Sequence, residues 1–197
     1  MNICFIDTET SAAKPANGRI VEIAYEVCTP WPELQVLTSM EQKIQLSERD
    51  FRRAEPKALA VNQYTEDQWA NAPLASAELW RELTRPLVNV VLCGQNVGFD
   101  RDWILSEMAR YDLLDPAADE PPWGRRFIDV QAYSHAIAEE LHLPDFGLHT
   151  VYDTIGPPLP RHRAYPDVQR AKTVYRFGRG VMAQGMLNAA RMPWPPP

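Results

Sequence analysis

Cysteine is scarce in this sequence, and the few cysteines present lack the spacing of a cross-linked or zinc-binding protein. Cys4, Cys28 and Cys93 are odd in number, are scattered along 197 residues and form no CxxC pair. Each lies in an apolar stretch that resembles a strand. We therefore interpret them as reduced residues of the core, which favours a cytoplasmic protein over a disulfide-rich secreted one.

Long apolar runs are missing too. The N-terminal apolar run, residues 3–6, is followed at once by acids, which indicates no signal peptide. No stretch approaches the roughly 20 apolar residues of a membrane span, so we expect no membrane partner. The 20 Lys and Arg residues are outnumbered by 26 Asp and Glu, for a net charge of -6. This balance argues against a protein that coats DNA, but not against a nucleic-acid enzyme that binds cations.

The apolar content of the chain suffices for one folded unit. Hydrophobic residues make up 45% of the sequence, at a length that suits a single domain. We expect this domain over residues 1–190 and a proline-rich tail over residues 191–197. Three opening strand patterns, followed by alternating helices and strands, predict an α/β fold with a mixed sheet. The longest helix patterns cover residues 72–87, 99–113 and 166–186.

Two acids end the first predicted strand. Asp7 and Glu9 follow the apolar run at positions i and i+2, so their side chains project from the same face. The carboxyl end of a buried strand is where open α/β sheets bind ligands. Two like charges there repel unless a cation lies between them. The alternative interpretation is a strand end whose acids are simply solvated.

Two later segments supply further acids. Asp100 follows a second buried strand pattern, which ends at Cys93, so its carboxylate meets the first pair if the two strands are neighbours. Asp167 comes directly after Pro166, at the predicted start of the last helix, and His162 lies on the approach to that helix. Each acid alone is also explained as a helix N-terminal acid that the helix dipole favours. As a set, the four acids predict a metal site.

The composition of this set points to particular ions. Carboxylates without a cysteine or histidine cluster select hard divalent cations, which predicts Mg²⁺ or Mn²⁺ rather than zinc. Two such ions about 3.5–4 Å apart stabilise in-line displacement at phosphorus. A histidine can accept the proton of an attacking water near neutral pH. We assign that role to His162.

Other polar residues have more than one interpretation. No acid motif surrounds His135, His142 or His149, for which we expect surface positions or local hydrogen bonds. A basic stretch near the C-terminus contains Arg161, Arg163, Arg170, Lys172, Arg176 and Arg179. This stretch is consistent with a phosphate-contacting surface and equally with a solvated helix face.

Three segments together resemble the motifs of a known family. They are Phe5-Ile6-Asp7-Thr8-Glu9-Thr10, Asn96-Val97-Gly98-Phe99-Asp100 and His162-Arg163-Ala164-Tyr165-Pro166-Asp167. Their order resembles that of the DEDDh 3′→5′ exonucleases, a family that includes the proofreading subunit of bacterial DNA polymerase III and ribonuclease T. The first motif alone is weak, but three in order across residues 5–167 are specific. Residues 19–24, 58–62 and 126–129 also resemble segments of the family.

The resemblance implies a fold, a site and a reaction. The fold is RNase H-like, a five-stranded mixed sheet with one antiparallel strand, flanked by helices. Two Mg²⁺ or Mn²⁺ ions are held by four carboxylates, with His162 as the general base. The four ligands are Asp7, Glu9, Asp100 and Asp167. The positions beside the family's terminal-nucleotide pocket are Thr8, Thr10, Asn96 and Phe99.

The implied reaction removes nucleoside 5′-monophosphates from a single-stranded or frayed 3′ end, with DNA favoured over RNA. An exoribonuclease that trims RNA is one alternative. A non-catalytic domain that binds a polymerase or nucleic acid is another, and a polymerase or repair partner stays an open expectation. Gln95, where the family often has His, and Val168, where it has Ala, depart from the pattern, as does the lack of a Gly shortly before His162. These departures concern the subfamily, because no proposed ligand is lost.

Overall fold

The structure is a computed structural model that describes residues 1–115, 117–118 and 120–190, with the backbone alone for residues 186–190. The strands are β1 (Asn2–Thr10), β2 (Ile20–Cys28), β3 (Val36–Lys43), β4 (Val90–Gly94) and β5 (Phe127–Asp129). The first helices are α1 (Glu48–Phe51), α2 (Pro56–Val61), α3 (Glu66–Trp69) and α4 (Ala77–Thr84), which continues as a 3₁₀ turn over Arg85–Leu87. The later helices are α5 (Val97–Arg110), α6 (Gln131–Glu140), α7 (Leu148–Ile155) and α8 (Ala164–Ala190).

The five strands form one mixed sheet in the order β3-β2-β1-β4-β5. β2 pairs antiparallel with both β1 and β3, whereas β1, β4 and β5 run parallel. β2 is therefore the one antiparallel strand. The strand that carries the first acids, β1, lies at the centre of the sheet.

Side-chain alternation along β1 divides the core into two layers. Ile3 and Phe5 face a cluster formed with α6, α7 and α8, while Cys4 and Ile6 face a cluster formed with α4 and α5. Because Asp7 and Glu9 continue the register of Ile3 and Phe5, they project toward the side of the sheet on which α8 packs. The apolar residues at the start of β1 thus anchor the strand in the core, and Asp7 and Glu9 at its end can contribute to a binding site.

The parallel strand β4 brings a second segment to the same end of the sheet. Its last pairing with β1 joins Cys93 to Phe5. At Gly94 a Cβ atom would lie 2.7 Å from the carbonyl oxygen of Ile6, so the close approach of the two strands requires glycine here. Asn96 then adopts a left-handed conformation with φ of 55°, and α5 begins at the next residue.

The observed architecture confirms the expected fold class, a five-stranded mixed sheet flanked by helices. Helix boundaries differ in detail. The helix predicted over residues 72–87 begins only at Ala77, because Leu74 forms an isolated bridge with Gln45 and Ser76 caps the helix. The last helix begins at Ala164, two residues before the predicted Pro166. The proline-rich tail, residues 191–197, lies outside the described residues.

No helix among the described residues is both long enough and apolar enough to cross a membrane.

Candidate metal centre and active site

Three carboxylates from opposite ends of the sequence meet at the end of β1. Ligand oxygens of Asp7, Glu9 and Asp167 all lie within 4.8 Å of one another. Asp7 and Glu9 are partly exposed, whereas Asp167, in the first turn of α8, is buried. The same-face spacing on β1 and the position of Asp167 at the start of a helix both match the sequence prediction. No other such group of acids, histidines or cysteines occurs among the residues that the structure describes.

Ionisation of the clustered acids is unfavourable. Burial raises the pKa of Asp7 well above its usual range, and the charges of Asp100, Asp167, Glu9 and Glu22 add to this effect. Burial also raises the pKa of Glu9 to about 8, with contributions from Asp167 and Glu22 that Arg163 partly opposes. Without a cation, part of this cluster therefore retains protons near neutral pH.

Asp100 lies beside the cluster rather than within its closest group. It is buried in the first turn of α5, where its Oδ1 accepts hydrogen bonds from the backbone N–H of Thr8 (2.9 Å) and from the Thr8 hydroxyl (2.7 Å). Burial raises the pKa of Asp100 to about 7, although both Thr8 hydrogen bonds lower it. The link to Thr8 ties the start of α5 to β1 between the two acids of that strand.

Two further side chains contact Asp167. Its Oδ1 lies 3.0 Å from Nε2 of His149, on α7, and accepts a hydrogen bond of 2.6 Å from Nη1 of Arg170. Both contacts use the same oxygen. The second oxygen, Oδ2, has no hydrogen-bond partner among the described residues and is available to a cation.

His162 lies on the segment that leads into α8. Its side chain is exposed, and its backbone φ of 54° is in the left-handed region. The His162 ring is 5.3 Å from the His149 ring, centroid to centroid, in an edge-on arrangement. Because His149 contacts Asp167, this places His162 close to the rim of the carboxylate cluster.

A further buried acid, Glu22, fixes the start of α8. Glu22 lies directly across from Glu9 in the β1–β2 pairing and is fully buried. Its carboxylate accepts a hydrogen bond from the backbone N–H of Ala164 (3.2 Å) and lies 3.0 Å from Nε of Arg163. Glu22 thereby joins the middle of the sheet to the residues that follow His162.

Three of the four predicted nucleotide-binding residues line one cleft beside the acids. Thr8, Thr10 and Phe99 form part of the wall of a cavity of about 430 Å³, which Glu9 also lines. Asn96 is not part of this wall; its backbone N–H instead donates to Asp129 at the end of β5. The prediction for Asn96 therefore gains no support from its position.

Sequence reasoning missed the roles of His149 and Arg170. His149 does make a hydrogen bond, one of the two outcomes expected for it, but its partner is Asp167, one of the three clustered carboxylates. Four residues of the basic stretch form ion pairs with acids of the same chain. This favours structural contacts over a surface of unpaired basic residues that would contact phosphate. These pairs are Arg161–Asp153, Arg163–Glu22, Arg170–Asp167 and Lys172–Glu26. The spacing of Arg170 three residues after Asp167 was the available signal, because residues i and i+3 share a helix face.

The donor set suits a hard divalent cation. All its atoms are carboxylate oxygens. Burial and the mutual repulsion of these acids raise the pKa values of Asp7 and Glu9, and a bound cation would relieve the repulsion. Asp7, Glu9 and Asp167 could hold one ion, and Asp100 adds a carboxylate beside them. The residues present therefore fit a metal site of the kind predicted from the sequence.

A scan against protein-family models and a search among curated proteins give no match to this sequence. Solved structures, in contrast, share the fold. E. coli exonuclease I in complex with a dT13 oligonucleotide matches with a TM-score of 0.72 at 18% identity, over 96% of this chain and 43% of that one. Exonuclease I from Methylocaldum szegediense matches with a TM-score of 0.74 at 18% identity, over 91% of this chain and 40% of that one.

A third match is a 3′-exonuclease that recognises the 3′ end of a histone mRNA stem-loop, with a TM-score of 0.64 at 12% identity. It covers 91% of this chain and 64% of that one. A zinc-bound form of E. coli exonuclease I with single-stranded DNA also matches, with a TM-score of 0.72. This chain spans about two fifths of the length of the exonuclease I structures. At these identities the likeness establishes the fold, the five-stranded mixed sheet flanked by helices.

Proposed function

We propose that this protein is a metal-dependent 3′→5′ exonuclease of the DEDDh type, which hydrolyses the last phosphodiester of a DNA strand and releases a nucleoside 5′-monophosphate. The observation that carries the proposal is the convergence of Asp7, Glu9 and Asp167 within 4.8 Å in a fold shared with exonucleases. Fold alone does not define a reaction, so the argument depends on these side chains.

Four carboxylates are the metal ligands in this proposal: Asp7, Glu9, Asp100 and Asp167 hold two Mg²⁺ or Mn²⁺ ions. When bound, such ions supply charge neutralisation at the phosphate and make water easier to deprotonate. The raised pKa values of Asp7, Glu9 and Asp100 support this assignment, because cations would replace the protons that this cluster otherwise retains.

His162 is the general base: it accepts the proton of the attacking water and holds it while the phosphodiester breaks. Its exposed position beside the cluster leaves the ring free to meet substrate. Thr8, Thr10 and Phe99 line the cleft and contact the terminal nucleotide, for which the Phe99 ring offers a stacking surface. Asn96 is kept as a weaker member of this set, because it lies outside the wall of the cleft.

A single-stranded or frayed 3′ end of DNA is the substrate that we favour, since two of the similar E. coli exonuclease I structures contain DNA. An exoribonuclease is the second candidate, and the likeness to the histone mRNA 3′-exonuclease favours it. The two differ in whether the site accepts the 2′-hydroxyl group. A cytoplasmic location and a polymerase or repair partner complete the proposal and rest on the sequence alone.

The test uses 5′-labelled single-stranded DNA and RNA of identical sequence, with Mg²⁺, Mn²⁺ or EDTA. We expect a ladder of products shortened from the 3′ end, release of 5′-monophosphates, and faster trimming of DNA than of RNA. Asp7→Ala and EDTA should each abolish the ladder. The surface variant Arg81→Lys is the matched control, because Arg81 is exposed on α4, a helix that packs on the opposite side of the sheet from Asp7 and Glu9.

Each outcome is decisive for one candidate. Faster trimming of RNA would replace the DNA assignment with the exoribonuclease. Intact substrates under both metals, from a protein that still binds oligonucleotide, would favour the non-catalytic alternative and refute the proposal.

A further inference from the structure

Arg170 is the one arginine of the described chain whose side chain is fully buried, with 0% exposure. It lies on α8 one turn after Asp167. An arginine remains charged in proteins, and burying a charge is costly unless it is paired and hydrogen-bonded. A buried arginine at this position therefore needs hydrogen-bond partners, and Arg170 has them on its two terminal nitrogens, Nη1 and Nη2, but not on Nε.

The partners of Arg170 lie on two different segments. Nη1 donates to Oδ1 of Asp167 (2.6 Å) and to the carbonyl oxygen of Pro160 (2.7 Å). Nη2 donates to the carbonyl oxygen of Leu159 (2.6 Å). The guanidinium carbon also lies 5.5 Å from the centre of the Tyr152 ring on α7. One side chain thus joins a proposed metal ligand to the backbone two and three residues before His162.

The opposite end of the same segment is held by Glu22. Its carboxylate accepts from the N–H of Ala164, two residues after His162, and pairs with Arg163. His162 therefore lies between two buried charged anchors, one on each side, while its own side chain is exposed. The left-handed backbone at His162, with φ of 54°, is uncommon for a residue other than glycine and persists only where its surroundings impose it.

We propose that Arg170 is a positioning residue, whose guanidinium ties the Leu159–Pro160 backbone to Asp167 and thereby holds His162 at the rim of the carboxylate cluster. Its kinetic consequences rest on the proposed function, because they require His162 to act as the base. The tie itself is independent of that function. A planar group with several donors is needed, because one ammonium group cannot span the carboxylate and both carbonyls in the same geometry.

The first measurement tests whether Arg170 restrains the segment around His162, and it does not depend on nuclease activity. Arg161 and Arg163 flank His162 and are trypsin sites, so limited proteolysis followed by mass spectrometry reports how often this segment opens. Arg170→Met should accelerate cleavage at Arg161 and Arg163 by about tenfold or more, and Arg170→Lys by less. Arg81→Lys should leave the rate unchanged. Equal rates in the wild-type protein and Arg170→Met would overturn the tie.

The second measurement concerns His162 and uses single-turnover rates on labelled DNA, well below the melting temperature of each variant. At metal sites, loss of a residue that orients a neighbouring site group typically costs about 10–100-fold in metal affinity or activity, and we take the same range for a residue that orients His162. We expect Arg170→Met to lose about that much in the rate of the bond-breaking step, with little change in the KM for DNA. In a His162→Ala background the same substitution should cost far less, because the residue that it positions is gone.

The outcomes separate this inference from the proposed function. Equal losses with and without His162 would overturn positioning of His162. A lower melting temperature with wild-type rates per folded molecule would mean that Arg170 only stabilises the fold, and would overturn it as well. If the wild-type protein degrades neither DNA nor RNA, the proposed function fails, and the proteolysis rates alone then decide whether Arg170 restrains the segment.

Discussion

At the scale of single residues, the centre is defined by charges that repel one another. Asp7 is affected by the whole cluster, since burial and four neighbouring carboxylates all raise its pKa. A carboxylate in that position lowers the stability of the metal-free protein and, under the proposed function, serves to bind cations. The same trade-off between stability and activity recurs at many functional sites.

Asp7→Asn should therefore stabilise the metal-free protein while it removes cation binding. At pH 8 we expect a higher melting temperature without metal, at about 2–4 °C for each kcal/mol gained in a chain of this size. Added Mn²⁺ should raise the melting temperature of the wild-type protein but leave that of the variant unchanged. Asp102→Asn is the control, because Asp102 is an exposed acid on α5. A variant that melts below the wild-type protein would contradict this account.

The sequence predicted the acids of the centre but not their partners. Asp7 and Glu9 share a face by strand alternation, which is a local property of the chain. The contact between His149 and Asp167 depends on how α7 packs against α8, and no local pattern encodes that geometry. Glu22 resembled an ordinary strand residue, although the sheet register sets it directly opposite Glu9.

At the scale of elements, α8 connects the sheet, two neighbouring helices and the acidic cluster. It packs across β1 and β2, supplies Asp167 at its start and meets α6 and α7 along its length. Sequence periodicity predicted this helix, although Gly178 and Gly180, residues of low helix propensity, lie within it. The helix is nevertheless continuous. Position 178 requires glycine for a steric reason, since a Cβ atom there would clash with the ring of Tyr133 on α6.

Gly178 and Gly180 therefore form a matched pair for substitution. Gly180→Ala should stabilise the protein by about 0.5–1 kcal/mol, because no atom lies within 4 Å of the added Cβ and alanine favours helix. Gly178→Ala should instead destabilise it by about 1–3 kcal/mol through overpacking against α6. Urea denaturation measures both. Stabilisation by both substitutions would mean that α6 and α8 pack less closely than described.

At the scale of the whole molecule, the acidic centre couples stability to pH. Glu9 and Asp100 have pKa values of about 8 and about 7 in the folded protein, above those of free carboxyl groups. Folded molecules therefore hold more protons than unfolded ones between about pH 4 and pH 8. Under that condition stability falls as pH rises. Glu26 opposes the trend, because hydrogen bonds from Lys172 and Tyr165 outweigh burial and lower its pKa.

In metal-free buffer we therefore expect the melting temperature to decrease from pH 5 to pH 8. Saturating Mn²⁺ should reverse much of this decrease, since the ion binds the deprotonated centre of the folded state and shifts the equilibrium by mass action. Differential scanning calorimetry at fixed ionic strength measures both effects. A flat metal-free profile would mean that folding does not raise the pKa values of these carboxyl groups.

The central position of β1 also affects the order in which parts of the protein unfold. β1 is paired on both sides, by β2 and β4, so its amide groups exchange with solvent only when the sheet itself separates. The edge strand β3, with exposed Val36 and Leu37, can fray alone. Two of the proposed ligands, Asp7 and Glu9, thus lie on a strand that is paired on both sides, whereas His162 lies outside the sheet on a segment held by the side chains of Arg170 and Glu22. On heating, we therefore expect the segment that carries His162 to open before Asp7 and Glu9 are separated from the sheet.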